Sequence, residues 1–228
     1  MRVGAINKMR MFDEKVGSQT LNAESIEVVI TPVQLIGVVS ARNLTALSIR
    51  LQQQTDFEGV VYDRTIDLSD PVADWYEWFF AEIAYQTEAL FTVVLPYSDS
   101  SFTLTISNPG GTAGCGELLM GPALDAGITE MGVQSGIDDY SLVAPDAFGV
   151  RDIVERDFAD NMELTVYVHS GKSPTLTRLL TRNRARPFLL VPSDARPDKQ
   201  VYGLAESWRC TLSYPNYDVF SITMKGLT

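Results

Sequence analysis

One histidine, two cysteines and 29 carboxylates are the groups with which this 228-residue chain would have to do chemistry. His169 follows a strand-like run, Met162 to Val168, and precedes Ser170-Gly171, a place where a general base would suit a nucleophile. No serine sits in a G-x-S-x-G elbow, and Cys115, within Gly114-Cys115-Gly116, lacks the flanks of a thiol hydrolase. His169 therefore reads as a surface histidine. Asp138-Asp139 and the stretch Asp157 to Asp160 offer hard oxygen ligands to calcium, but without the alternation of an EF-hand loop. No Walker loop or G-x-G-x-x-G is present, and Gly110-Gly111, Gly114 and Gly116 lie between strand-like runs, not before a helix. A glycosidase needs two carboxylates at a set separation in space, which spacing along the chain does not supply. The expectation is a protein that is not an enzyme, with no metal and no cofactor.

Two other groups suit binding. Trp75, Tyr76, Trp78, Phe79 and Phe80 crowd into six positions after Asp70-Pro71, a pair that fits an N-cap and a first helical residue. A helix there is apolar over much of its circumference. Large aromatics are mostly buried, so the first reading is an element plugged into a core. A subunit-interface patch and a sugar-stacking platform are the alternatives. Arg178, Arg182, Arg184 and Arg186 form a basic patch on an otherwise acidic chain. It reads as a solvated helix face, or as a surface that meets the acidic face of a neighbouring copy.

The formal net charge of -11, from 29 acidic and 18 basic residues, opposes docking on nucleic acid or anionic membranes. Cys115 and Cys210 are too few and too far apart for a disulfide framework or a C-x-x-C pair, and both are expected as buried thiols compatible with assembly in a cytoplasm. Met1 to Lys15 is polar with mixed charge and shows no export signal, and no apolar run approaches the roughly 20 residues that span a bilayer.

The elements that must position these groups are mainly strands. Residues 1–25 read as an N-terminal arm. Strand patterns follow at 26–30, 34–39, 47–51, 59–68 and 89–95. Phe102, Leu104 and Ile106 alternate with Thr103, Thr105 and Ser107, and Asn108-Pro109-Gly110-Gly111 then supplies turn chemistry before Glu117 to Met120. That spacing predicts a closing hairpin. A boundary is expected at Pro122 to Ala126. Beyond it, 127–140 is glycine-rich and polar, and 144–149 reads as a loop or hairpin tip. Residues 162–168 form a strong strand, and Ser173-Pro174 opens a helix over 175–184 with Leu176, Leu179 and Leu180 on its apolar face. A strand at 188–191 and three closing strands, 201–208, 210–214 and 219–225, complete the chain. The fold class expected is mainly β: a β-sandwich over 26–122 and a small α+β domain over 127–228.

Gly116, Leu118, Gly121 and Pro122, the run Gly132 to Ser141 and the ending Ser221 to Thr228 together resemble the tail-tip and distal-tail proteins of tailed bacteriophages, over roughly residues 30–228. The resemblance implies that the first half is a galactose-binding-like jelly-roll and that the second is an oligomerisation domain packing against its own copies in a ring. It implies a structural virion protein of the tail tip, baseplate or fibre junction, assembled in the host cytoplasm with other tail proteins. Interface candidates are Trp75, Tyr76, Trp78, Phe79, Arg178, Arg182 and Arg184. The alternative is a carbohydrate-binding module touching a host glycan, with Trp75, Tyr76 and Trp78 at its rim.

Overall fold

The computed structural model describes residues 9–13, 17–69, 75, 79, 85–92, 94–145, 151–193, 196 and 199–227. The chain is mainly β and divides between Leu124 and Asp125 into two units.

The first unit is built around one strand. β1 (Thr20–Ile30), β2 (Val38–Thr45), β3 (Ser48–Thr55), β4 (Gly59–Asp67) and β5 (Ala89–Phe91) are arranged about β6 (Ser100–Gly121), which is 22 residues long. β1 runs antiparallel along one edge of β6. β3 and then β2 occupy the other edge, β3 against 100–107 and β2 against 114–121. β4 extends the sheet beyond β3, and β5 extends it beyond β2. Alternation puts Phe102, Leu104 and Ile106 inward, and register aligns them with like partners: Ile26 and Ile49 flank Ile106, while Val28 and Leu51 flank Leu104. Apolar residues directly opposite one another on one face are what make a sheet cohere. Phe91 and Phe102 fill the same core.

The expected closing hairpin is instead one strand. Asn108 to Gly111 forms a bulge, because β1 pairs with both sides of it: Ser25 with Ser107 and Ala23 with Thr112, with only Glu24 between. Gly110 has φ +77, Glu24 has φ 61, and the Asn108 amide donates to the Thr112 carbonyl at 2.8 Å. Turn chemistry here ejects a few residues and lets the strand resume its direction.

Residues 9–13 and 17–25, read from sequence as part of an arm, belong to this unit. Met11, in a short 3-10 turn (Arg10–Phe12), is fully buried in the core, and its amide donates to the Thr20 hydroxyl at 2.9 Å. The strand expected at 34–39 starts instead at Val38, where β6 first offers a partner at Gly121. Val33 and Leu35 are exposed.

The second unit has a six-stranded antiparallel sheet. Its strands are β7 (Ile128–Thr129), β8 (Gln134–Asp139), β11 (Phe158–His169), β12 (Phe188–Leu190), β13 (Val201–Thr211) and β14 (Tyr217–Gly226); β9 (Leu142–Pro145) and β10 (Arg151–Val154) form a separate pair. The sheet order is β12-β13-β14-β11, with β7 and β8 both on the outer edge of β11. Met162, Leu164 and Val166 of β11 face Met224, Ile222 and Phe220 of β14 in register. Helix α1 (Ser173–Arg182) begins with Pro174 in its first turn and buries Leu176 and Leu180, one turn apart, on the apolar residues of the sheet. It ends before Ala185, which has φ 59, and Pro187. The connection from β11 through α1 to β12 passes over β14 and β13, from one side of the sheet to the other.

Three differences from the sequence reading stand out here. The first two of the three closing strands expected are one: Cys210 and Thr211 continue β13 past a register shift at Glu206, and residues 212–216 turn into β14, which is the third. Cys210 is exposed, not buried, since beyond Gly203 the outer edge of β13 carries no partner among the described residues. The segment 127–140 holds β7 and β8. Gly127, at φ +146, sits where a Cβ would run into the Tyr167 carbonyl oxygen.

Candidate functional site

His169, Asp138 and Asp139 are each held by a neighbouring residue, and Cys115 is buried. The His169 ring meets Tyr217 edge-on at 5.8 Å between centroids, and its Nδ1 accepts the Gly171 amide at 3.2 Å, so one ring nitrogen is taken up by its own turn. Burial pushes the Cys115 thiol up to about 12, which keeps it protonated and inert at neutral pH. Asp138 is held in its charged form by Lys225, whose ammonium lies 3.1 Å away, and by the Asn161 amide at 2.8 Å; both hold its carboxyl below the usual range. Ser141 does the same for Asp139, whose carboxylate accepts the Ser141 amide at 2.8 Å. Among the described residues no three His, Cys, Asp or Glu side chains are grouped to hold a metal. No helix among them is long and apolar enough to cross a membrane.

The binding candidates are placed differently. Trp75 and Phe79, both helical, are 73% and 71% exposed, which overturns the expectation that the aromatic cluster plugs a core, at least for these two rings. They lie one turn apart and so present one face. Tyr76, Trp78 and Phe80 lie outside the described residues, as does the proposed cap Asp70. In the second unit Arg178, Arg182, Arg184 and Arg186 are exposed. The Arg178 Nε donates to the Pro174 carbonyl at 3.3 Å, and Arg182 occupies the last turn of α1, where a cation suits the helix dipole. Among the described residues none of the four is paired with a carboxylate. The aromatics belong to the first unit and the arginines to the second.

Sequence reasoning missed the most conspicuous surface. β9 and β10 pair Leu142 with Val154 and Val143 with Ile153. Alternation sends the first pair to one face of the ribbon and the second to the other. All four side chains are exposed, Ile153 by 67% and Val143 by 52%. The ribbon is a continuation of β8 and β11: Asp139 pairs with Phe158, the Tyr140 amide reaches the Asp157 carbonyl at 3.4 Å, and pairing resumes at Leu142 and Val154. At the joint the Ser141 hydroxyl accepts the Arg156 amide at 3.1 Å. From Asp139 to Pro145 the arm reaches about 20 Å past the sheet at the usual rise per residue. The signal in the sequence was a pair of apolar dipeptides, Leu142-Val143 and Ile153-Val154, on either side of a Pro- and Gly-containing tip.

Two concave surfaces accompany these features. A shallow cleft of about 680 Å³ at the root of the arm is lined by Tyr140, Glu155, Arg156 and Asp157 together with Gly226 and Leu227. A groove of about 630 Å³ follows β1 in the first unit, with Met9, Met11, Phe12, Ile26 and Val28 among its walls.

Comparison with protein-family models, with curated proteins and with solved structures finds no match to this chain.

Proposed function

We propose that this chain is a structural component of a bacteriophage tail, at the tip, the baseplate or a fibre junction, which assembles with copies of itself and with other tail proteins. The observation that carries the reading is the β9–β10 arm. A two-stranded ribbon with apolar side chains on both faces is marginal in water and gains its order from what covers it. The resemblance of residues 30–228 to tail-tip proteins supplies the setting. Its mechanism is architectural: rigid antiparallel sheets hold interaction surfaces at fixed positions, and the burial of those surfaces between subunits supplies the free energy of assembly. Immunogold electron microscopy of tailed particles from the source culture, with antibody against the purified chain, tests it. Label confined to one end of the tail is expected, and unlabelled tails would remove the reading.

The exposed pair Trp75 and Phe79 favours a second reading, a carbohydrate-binding module that contacts a host glycan through stacked rings. A glycan array probed with the intact chain tests this. Binding that is lost in Trp75→Ala is expected, and silence across bacterial polysaccharides rejects it.

A further inference from the structure

We infer that the β9–β10 arm of one copy docks on the basic segment around the C-terminal end of α1 of the next copy, in a head-to-tail contact. The inference rests on the self-assembling reading above and assigns its interface. Three observations converge on it. First, the arm is apolar on both faces and uncovered among the described residues, with Leu142, Val143, Ile153 and Val154 all exposed. Second, charge is segregated within the second unit. Among the described side chains from Asp139 to Asp157 three carboxylates, Asp139, Glu155 and Asp157, stand against Arg156, whereas between Ser170 and Arg186 there is no carboxylate at all. In that basic segment Lys172 is engaged with Asp125 at 3.2 Å, which leaves the four arginines facing outward. Third, topology puts the two surfaces toward opposite edge strands of one sheet, β8 and β12. The arm prolongs β8 and β11, and the crossover through α1 delivers Arg184 and Arg186 to the start of β12 on the far edge.

The arm and the basic segment are two different surfaces of one chain, so their contact is of the head-to-tail kind. They match when one copy follows another in the same sense, which generates a closed ring or an open filament according to the angle between copies. The charges steer and set register, and the apolar side chains of the arm supply the area to be buried. A second copy is favoured over an unrelated partner because the chain itself carries both halves of the match.

Two exposed pairs of substitutions test this without touching a core: Val143→Asp with Ile153→Asp on the arm, and Arg184→Glu with Arg186→Glu beyond the end of α1. Circular dichroism and melting temperature are expected to stay at wild-type values for both. In light scattering the wild-type chain is expected to exceed monomer mass at high micromolar concentration, with its apparent dissociation constant rising about tenfold or more in molar salt as the charges are screened. Each variant alone is expected to be monomeric. Each keeps one intact surface, so an equimolar mixture is expected to give a dimer and nothing larger. Variants that assemble like the wild type, a mixture that stays monomeric, or a wild-type chain that is itself monomeric would each overturn the inference. Labelling of tails is read independently of assembly in isolation, so failure here and failure of the tail assignment are told apart.

Discussion

The row of isoleucines across the first sheet and the arm of the second unit use the same chemistry to opposite ends. Around β6, Ile106 lies between Ile26 and Ile49, with one strand on each edge and a core above it. In the arm Val143 and Ile153 form the same kind of cross-strand pair, yet no third strand and no core is supplied among the described residues. A cross-strand apolar pair is thus neutral as to purpose. Its surroundings decide whether it stabilises the monomer or waits for a partner.

The comparison breaks most easily at the row itself. Ile106→Ala removes side-chain volume from a fully buried site and is expected to lower unfolding free energy by about 2–5 kcal/mol, read from urea denaturation of the intact chain. Gly127→Ala tests the other unit at its backbone. The replacement meets the Tyr167 carbonyl at a φ that side chains avoid, and a loss of about 2 kcal/mol is expected in urea denaturation of the intact chain.

A smaller effect is expected at the root of the arm, where Asp138 is bound to Lys225 and Asn161. Its carboxyl is lowered in the folded chain, so its contribution is present above the unfolded value, near pH 4, and is lost as pH falls through the folded value. Asp138→Asn is therefore expected to be less stable than wild type at neutral pH, with the difference closing below about pH 4 in denaturation curves taken across pH. Smallest of all is the arm. Val143→Thr with Ile153→Thr is expected to change unfolding free energy by less than about 0.5 kcal/mol, as exposed positions do, while weakening association in sedimentation. A destabilisation approaching that of Ile106→Ala would mean that the arm is covered within its own chain and would dissolve the contrast.

Much of the fold was legible where neighbours along the chain carry the information. Met162, Leu164 and Val166 announce β11 by alternation, and Pro174 with Leu176 and Leu180 announces α1 within two residues of its ends. What was not legible depends on distant partners. Asn108-Pro109-Gly110-Gly111 is compatible with a reversal or a bulge, and only the presence of β1 along both flanks selects the bulge. Met11 is buried because Thr20 and the core of the first unit receive it, which no local pattern in 1–25 reveals. Trp75 and Phe79 illustrate the limit for the site: helical spacing says that two rings share a face, but not whether anything lies on it. The arm escaped notice because its apolar residues come as dipeptides, which point to both faces of a ribbon and imitate neither a half-buried strand nor a helix.

The place of β6 in the chain has a consequence for synthesis. β1 finds its partner only when β6 is made, so Ile26 must wait for Ile106, and β2 must wait for the segment ending at Gly121. Until then β3 and β4 are the pair able to form locally, since they adjoin in sequence. On a ribosome the first unit therefore spends most of its own translation with unpaired strand edges in view, and it closes in one step when its last strand leaves the exit tunnel. For the self-assembling protein proposed above, that interval is when a nascent chain is most exposed to pairing with the wrong neighbour.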